Sequence, residues 1–372
     1  MTRQVKKVFF NKEEGLDFIT VLRKRIHQYF EDRRHSSRAT LFTYFKSLSM
    51  IASVGIVYSL ILSNFFGGMG VLILYSIMGV VAAITTMNIA HDALHGAYAS
   101  QSVGNRSLGF VMDVLGGVSS FYWKKEHTVD HHTYTNISGH DADLDIPFFL
   151  RLCPKAPRYS FHRFQHIYAF FLYSLNLIRW AYHSDVRRIY HIITNQHSKT
   201  IRPSGLEIFF LVFFKLVHLG FFVGLPLLVV DVAWWQIIVG YFCSLAITGI
   251  TMTVIFQLAH IVEDVDFPLP NDEGKIENNF VIHQLTTTSN FATNSKIVSF
   301  LLGGLNFQVE HHIFPHVCHT HLSKIAPIVK QTAQEFGLPY FENPSFFTAL
   351  RSHYRMLKKF GQTPHEVACA QS

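Results

Sequence analysis

The sequence predicts an all-α integral membrane protein: four transmembrane helices in two hairpins, with a cytoplasmic helical cap. Three observations lead there. Of 372 residues, 49% are hydrophobic and 15% charged, against about 25% charged in an ordinary soluble domain. Two apolar blocks, near residues 48–90 and 208–259, are each long enough for a helical hairpin, since crossing a core of about 30 Å takes roughly 20 residues. The basic residues avoid both blocks: eleven Lys and Arg fall in residues 1–46, twelve in 91–205 and eight in 261–372, leaving Lys215 inside a span. By the positive-inside rule both termini and the central segment are cytoplasmic. The same distribution argues against reading the net charge of +7 as a nucleic-acid footprint.

The elements follow in chain order. Residues 1–45 are a cytoplasmic N-terminal segment in which MTRQVKKVFFNKEEGLDF has no continuous apolar stretch, so no cleavable signal peptide is expected. Residues 46–90 form the first hairpin, dividing at NFFGGMG (64–70), where three glycines are expected to make the turn. Residues 91–205 form the cytoplasmic cap. Within it QHIYAFFLYSLNLIRWAY (165–182) is apolar but carries Asn176 and Arg179. It reads as an interfacial amphipathic helix, or two short ones, because a fifth span would invert the charge pattern. Residues 206–260 form the second hairpin, dividing near Pro226 to Trp235, and residues 261–372 are cytoplasmic again. Lys215 and His218 are costly inside a span unless they snorkel or meet a polar group. Cys153, Cys243, Cys318 and Cys369 are widely separated, a pattern of free thiols rather than a disulfide scaffold or zinc ribbon.

The histidines carry the chemistry. HDALH supplies His91 and His95, four apart and so on one helix face; Asp92 stands where a zinc protease motif has its glutamate. HTVDHH supplies His127, His131 and His132. In an α-helix His127 and His131 share a face and His132 lies about 100° around from His131, so an adjacent pair can serve two metal ions. QVEHH supplies His311 and His312, with Gln308 placing an amide where an imidazole would otherwise stand. His260, in FQLAH, ends the fourth span. Every cluster falls on the cytoplasmic side. Eight histidines exceed one ion's ligands and suit two, and neutral imidazole favours zinc, copper, iron or nickel. The other histidines, such as His27, His218 and His353, read as ordinary, while His283, His316, His319 and His321 lie near the third cluster as supporting or surface groups.

In these motifs the chain resembles the membrane fatty acid desaturases, with boxes HxxxH, HxxxHH and QxxHH at His91–His95, His127–His132 and Gln308–His312. The resemblance covers about residues 40–360, as a single domain. The glutamine of the third box resembles the front-end desaturases, and HDALHGAY, GGLNFQVEHHIFPH and RSHYRMLKKFG are similar to the bacterial acyl-CoA or linoleoyl-CoA branch, implying a bacterial inner membrane. It implies two iron ions held by His91, His95, His127, His131, His132, His260, His311 and His312. Gln308 occupies a place where a related branch has another histidine. That branch also has an Asn where this chain has Phe256, with Gln257 beside it. No His-Pro-Gly-Gly haem motif occurs, so electrons are expected from a separate carrier, a ferredoxin or a small haem cytochrome with its reductase.

The resemblance thus implies oxygen-dependent insertion of a cis double bond into an acyl-CoA or acyl-lipid, the cofactor supplying oxidising power that no side chain has. Ligand imidazoles need a partner for their second nitrogen, for which Asp92, Asp130, Asp141, Asp143 and Asp145 are candidates. Arg187 and Arg188 could meet a phosphate head group, and Trp123 the acyl chain, although core packing explains Trp123 as well. Two rivals share features: a membrane di-iron hydroxylase of lipids or alkanes, and a non-enzymatic metal transporter, whose ligands would be expected mid-span.

Overall fold

The computed structural model describes residues 8–33, 36–144, 148–194 and 203–363. Among these, four helices are long and apolar enough to cross a membrane: Leu41–Leu62, Gly68–Leu94, Gly205–Val229 and Trp234–His260. Local chemistry starts the odd-numbered spans. Thr40 caps the first through a reciprocal bond pair with Thr43, and Ser204 caps the third while Glu207 bonds back to the Ser204 N–H at 2.6 Å; each satisfies helix-end donors that would otherwise be orphaned. The second helix runs on past its predicted end to Leu94, so the first histidine box lies at its last turn.

The turn of the first hairpin differs from expectation. Gly68 and Gly70 are already helical, and the left-handed residue is Asn64, with φ of 56°, a conformation asparagine tolerates better than most residues. Its side chain also staples the other hairpin's turn: Nδ2 donates to the Val229 carbonyl at 2.7 Å and Oδ1 accepts the Asp231 N–H at 2.6 Å. An asparagine does both at once, whereas a glycine would supply only the bend.

The chain divides into two compact units. Residues 38–124 and 170–254 form the first. Its core gathers Val57, Ile61, Leu74, Tyr75, Met78, Phe222, Tyr241 and Leu245. Second and fourth spans approach closely because of two glycines. A Cβ on Gly79 would sit 2.5 Å from the Ser244 carbonyl oxygen, and one on Gly240 would strike the Tyr75 ring at 2.6 Å. Small residues at such contacts are what allows helix backbones to pack in lipid. The same contact is stitched by Thr248 Oγ1, which donates to the Gly79 carbonyl at 2.9 Å.

The costly residues of the third span are satisfied here. Lys215 does not snorkel: Nζ donates to Asp185 Oδ2 at 2.9 Å, to the Ala181 carbonyl at 2.8 Å and to the Gly117 carbonyl. Asp185, fully buried, also takes Arg188 Nη1 at 2.8 Å and the Ser119 N–H at 3.1 Å. His218 lies 2.7 Å from the Val114 carbonyl through Nδ1 and 2.7 Å from the Tyr241 hydroxyl through Nε2, and Tyr182 donates to Tyr241 in turn. The stretch expected to lie at the interface is part of one continuous helix, Gln165–Ile178, a π-helical turn Arg179–Ser184, and Asp185–Ile193.

Residues 1–37, 125–169 and 255–372 form the second unit. Its core joins Phe18, Leu22, Val281, Leu285, Val309, Leu322, Ile325 and Val329. Two short parallel strand pairs tie distant segments together: Phe9–Phe10 with Lys275–Ile276, and Ser289–Phe291 with Phe341–Asn343. Arg151, almost fully buried, donates to the carbonyls of Ala156, Pro154, Phe360 and Thr363, clasping the C-terminal helix Phe346–Gln362.

Candidate metal centre

The second box sits on a π-helical turn, Glu126–His131. This changes which histidines converge. In an α-helix residues five apart diverge by about 140°, whereas i→i+5 bonding brings them nearly into line. Accordingly Nε2 of His127 and Nε2 of His132 lie 3.2 Å apart, while the His127 and His131 rings stack at 5.3 Å. All three imidazoles therefore share one face. A regular α-helix would have brought only His127 and His131 together. π turns of this kind recur at functional sites.

His131, His260 and His312 form one cluster: their ligand atoms all lie within 4.8 Å of one another, and all three are buried. Each spends its Nδ1 on the protein. His131 Nδ1 lies 3.0 Å from Asp141 Oδ1 and 3.4 Å from Asp143 Oδ2. His312 Nδ1 lies 3.0 Å from Gln284 Oε1 and 3.2 Å from Thr135 Oγ1. His260 Nδ1 faces the Thr287 carbonyl at 3.4 Å. This leaves the three Nε2 atoms for something else, and Nε2 of His312 is buried with no hydrogen-bond partner. A buried polar atom is rarely left so. Fixing Nδ1 with an oxygen acceptor and presenting Nε2 is how proteins hold a metal-bound histidine. Neutral imidazole donors suit a borderline transition ion, so these residues fit a metal.

The electrostatics agree. Burial alone would lower the His131 pKa, but the Asp141 and Asp143 carboxylates overcome it and push it up to about 9. A site that attracts a proton this strongly attracts a metal cation in the same place. His312 is held well below its ordinary value, first by burial and then by His132, His260, His131 and His311 around it, which keeps its ring neutral and its lone pair available.

Of the remaining box histidines in this unit, His311 Nε2 is buried and its ligand atom lies within 4.8 Å of that of His127. The His132 ring stands 4.7 Å from that of His311 and stacks on His312 at 4.1 Å. Gln308 is buried, and its Nε2 has no hydrogen-bond partner; an amide nitrogen donates and does not ligate, so any ligation would be through its oxygen. In the first unit, the ligand atoms of His91 and His95 lie within 4.8 Å of each other and both rings are buried. Trp123, buried in that core, sets its ring at 5.8 Å and 66° to His91.

Of the candidate supporting carboxylates, Asp141 meets the description in full and Asp143 reaches the same imidazole at longer range. Asp92 is 3.8 Å from His91 Nδ1, beyond hydrogen-bond range. Asp130 is half-buried, its pKa raised first by burial and then by Glu126. Asp145 lies outside the described residues. Arg188 is committed to Asp185 and covers the Tyr122 ring at 4.5 Å, and Arg187 donates to His191 Nε2 at 3.3 Å.

Of a layer of polar residues behind the boxes, the sequence had pointed only to His283. Thr135 Oγ1 donates to the His131 carbonyl at 2.9 Å or to Gln284 Oε1 at 3.0 Å, and Gln284 Nε2 donates to the His132 carbonyl at 3.1 Å. Asn136 Nδ2 faces the carbonyls of His260 at 2.9 Å and Asp266 at 3.1 Å. His283 Nε2 donates to the Thr135 carbonyl at 2.9 Å, and burial lowers its pKa to about 4. The available signal was the threonine-rich run HQLTTTSNF (283–291).

The family model described as "Fatty acid desaturase" matches residues 66–344, spanning all three boxes. The chain belongs to the fatty acid desaturase family. Among curated relatives, this desaturase is 34% identical to the sn-1 linoleoyl-lipid 6-desaturase of Synechocystis sp., over 96% of this chain and 98% of that one. It is 32% identical to the sn-1 linoleoyl-lipid 6-desaturase of Arthrospira platensis, over 100% of this chain and 99% of that one. It is also 34% identical to the acyl-lipid (8-3)-desaturase of Physcomitrium patens, over 94% of this chain and 73% of that protein. The desaturase is thus an oxidoreductase, and the histidine clusters are its candidate metal centre.

Proposed function

We propose that this desaturase is a front-end acyl-lipid desaturase that uses two iron ions and molecular oxygen to insert a cis double bond between an existing one and the carboxyl end. The observation that carries the metal reading is the set of three buried imidazoles whose Nδ1 atoms are all turned to protein oxygens. His91, His95, His127, His131, His132, His260, His311 and His312 would hold the irons. When bound, the irons supply the oxidising power needed to remove two hydrogens from an unactivated chain.

The chain's own residues supply the rest. Asp141 and Gln284 fix the tautomer and direction of His131 and His312. The histidines of the second and third boxes are themselves buried. Phe256, whose ring stands 5.9 Å from His127, offers an apolar surface beside the second box. Electrons come from a separate ferredoxin or small haem cytochrome. The Lys and Arg distribution supports both termini and the boxes on the cytoplasmic face, in a bacterial inner membrane.

The names of the relatives favour an acyl-lipid over an acyl-CoA substrate. The test is to give the purified protein, in nanodiscs with oxygen and a reducing carrier, linoleoyl lipid or linoleoyl-CoA. A trienoic acyl group still esterified to lipid supports the reading. Product on CoA alone would move the substrate class, and a hydroxylated acyl chain would refute desaturation.

A further inference from the structure

We propose that Gln284 is a positioning residue that locks the second and third histidine boxes to each other, so that His132 and His312 present to the metals as one unit. This rests on the metal reading of the boxes given above.

Gln284 is fully buried in the helix Phe280–Thr287. Its single amide serves both boxes. Oε1 lies 3.0 Å from His312 Nδ1, and Nε2 donates to the His132 carbonyl at 3.1 Å. Because Oε1 can only accept, His312 carries its proton on Nδ1 and keeps the lone pair on Nε2, the atom left without a partner. Because Nε2 can only donate, it selects a carbonyl on the other side. Thr135 completes the arrangement: its hydroxyl lies within hydrogen-bond distance of the His131 carbonyl, Gln284 Oε1 and His312 Nδ1.

The helix itself is anchored independently. Asn279 Oδ1 caps it through the Val281 N–H at 2.7 Å, and the neighbouring His283 Nε2 is tied to the Thr135 carbonyl at 2.9 Å. Val281, Ile282 and Leu285 pack into the core of the same unit. The amide is therefore held from behind while its two ends reach the boxes. The boxes are separated by some 180 residues of chain, and the His132 and His312 rings stack at 4.1 Å. A side chain that accepts from the His312 ring and donates to the His132 main chain holds the two boxes against each other and sets the tautomer of His312. A carboxylate could do only the first half, and an apolar residue neither.

The experiment measures iron on the full-length protein in nanodiscs, by mass spectrometry after equilibration against a graded chelator, with Mössbauer spectra of the iron-loaded samples. Wild type is expected to hold two irons. Gln284→Met is expected to weaken one of them about 10- to 100-fold, the usual effect of losing a ligand's outer partner, while the other is retained. Gln284→Glu keeps an acceptor opposite His312 and is expected to recover most of that affinity with an altered spectrum for one iron. If Gln284→Met fails to fold, the isosteric glutamate variant decides by its spectrum: an unchanged one overturns the proposal. Two irons with wild-type affinity in Gln284→Met, even at a lower melting temperature, would show a merely structural role and overturn it. So would equal loss in both variants, which would show that an acceptor opposite His312 contributes nothing. A wild-type protein that binds no iron overturns the metal reading itself and this proposal with it.

Discussion

Nδ1 of His131 lies 3.0 Å from Oδ1 of Asp141, a buried carboxylate whose other oxygen takes the Asn136 N–H at 2.8 Å. The carboxylate cannot turn away, so the imidazole cannot either. Asp141→Asn keeps the shape and removes the charge. We expect the metal that His131 would hold to bind about 10- to 100-fold more weakly, measured by chelator competition; unchanged affinity would mean the carboxylate is only a packing group.

Lys215 and Asp185 form a pair in the span-bearing unit, at 2.9 Å, with the aspartate side chain fully buried. Lys215→Met leaves that carboxylate with Arg188 as its remaining cation. The expected loss is about 3 kcal/mol, the low end for breaking a buried pair, read as a lower melting temperature in detergent. The double variant Lys215→Met with Asp185→Leu should recover much of it. A Lys215→Met protein as stable as wild type would show that the pair contributes nothing.

His353 gives a pH dependence. It lies buried, 2.9 Å from the Ile261 carbonyl, and burial lowers its pKa to about 4 despite that hydrogen bond. The unfolded chain takes up the proton near pH 6.5. Between those values the unfolded state binds more protons, so stability is full above about pH 6.5 and falls as pH drops toward 4. The contribution at stake is on the order of 3 kcal/mol. His353→Gln should flatten the melting temperature between pH 7.5 and 5; an equally steep decline would assign the loss to other groups.

Gly79 tests the span packing. A Cβ there would stand 2.5 Å from the Ser244 carbonyl oxygen, a backbone atom that cannot swing aside. Gly79→Val should cost about 1–3 kcal/mol by overpacking, whereas Gly55→Val, where nothing lies within 4 Å, should cost far less. Equal effects of the two would contradict the close approach.

These residues also show what the sequence could reveal. The spans were legible because length and apolarity in lipid leave few alternatives, and the boxes because histidine spacing on a helix is a local property. The π turn under His127 and His132 was not, since the sequence around it gives no periodic signal for i→i+5 bonding. Nor was Gln284, whose importance comes from contacts about 150 residues away at His132. Lys215 was legible as a problem in the third span, while its answer, Asp185, lay just beyond the stretch read as interfacial (165–182) and carried no signal of its own. Asp141 stood out from Asp130 only when the turn after the second box brought it under His131.

We propose that the histidine boxes carry out desaturation. This is tested most directly by expressing the protein in a host of defined fatty acid profile and locating new double bonds by mass spectrometry, with His131→Ala alongside. A new cis double bond between an existing one and the carboxyl end is expected in the wild-type lipids and none in the variant. New hydroxyl groups in place of unsaturation, or full product from His131→Ala, would contradict it.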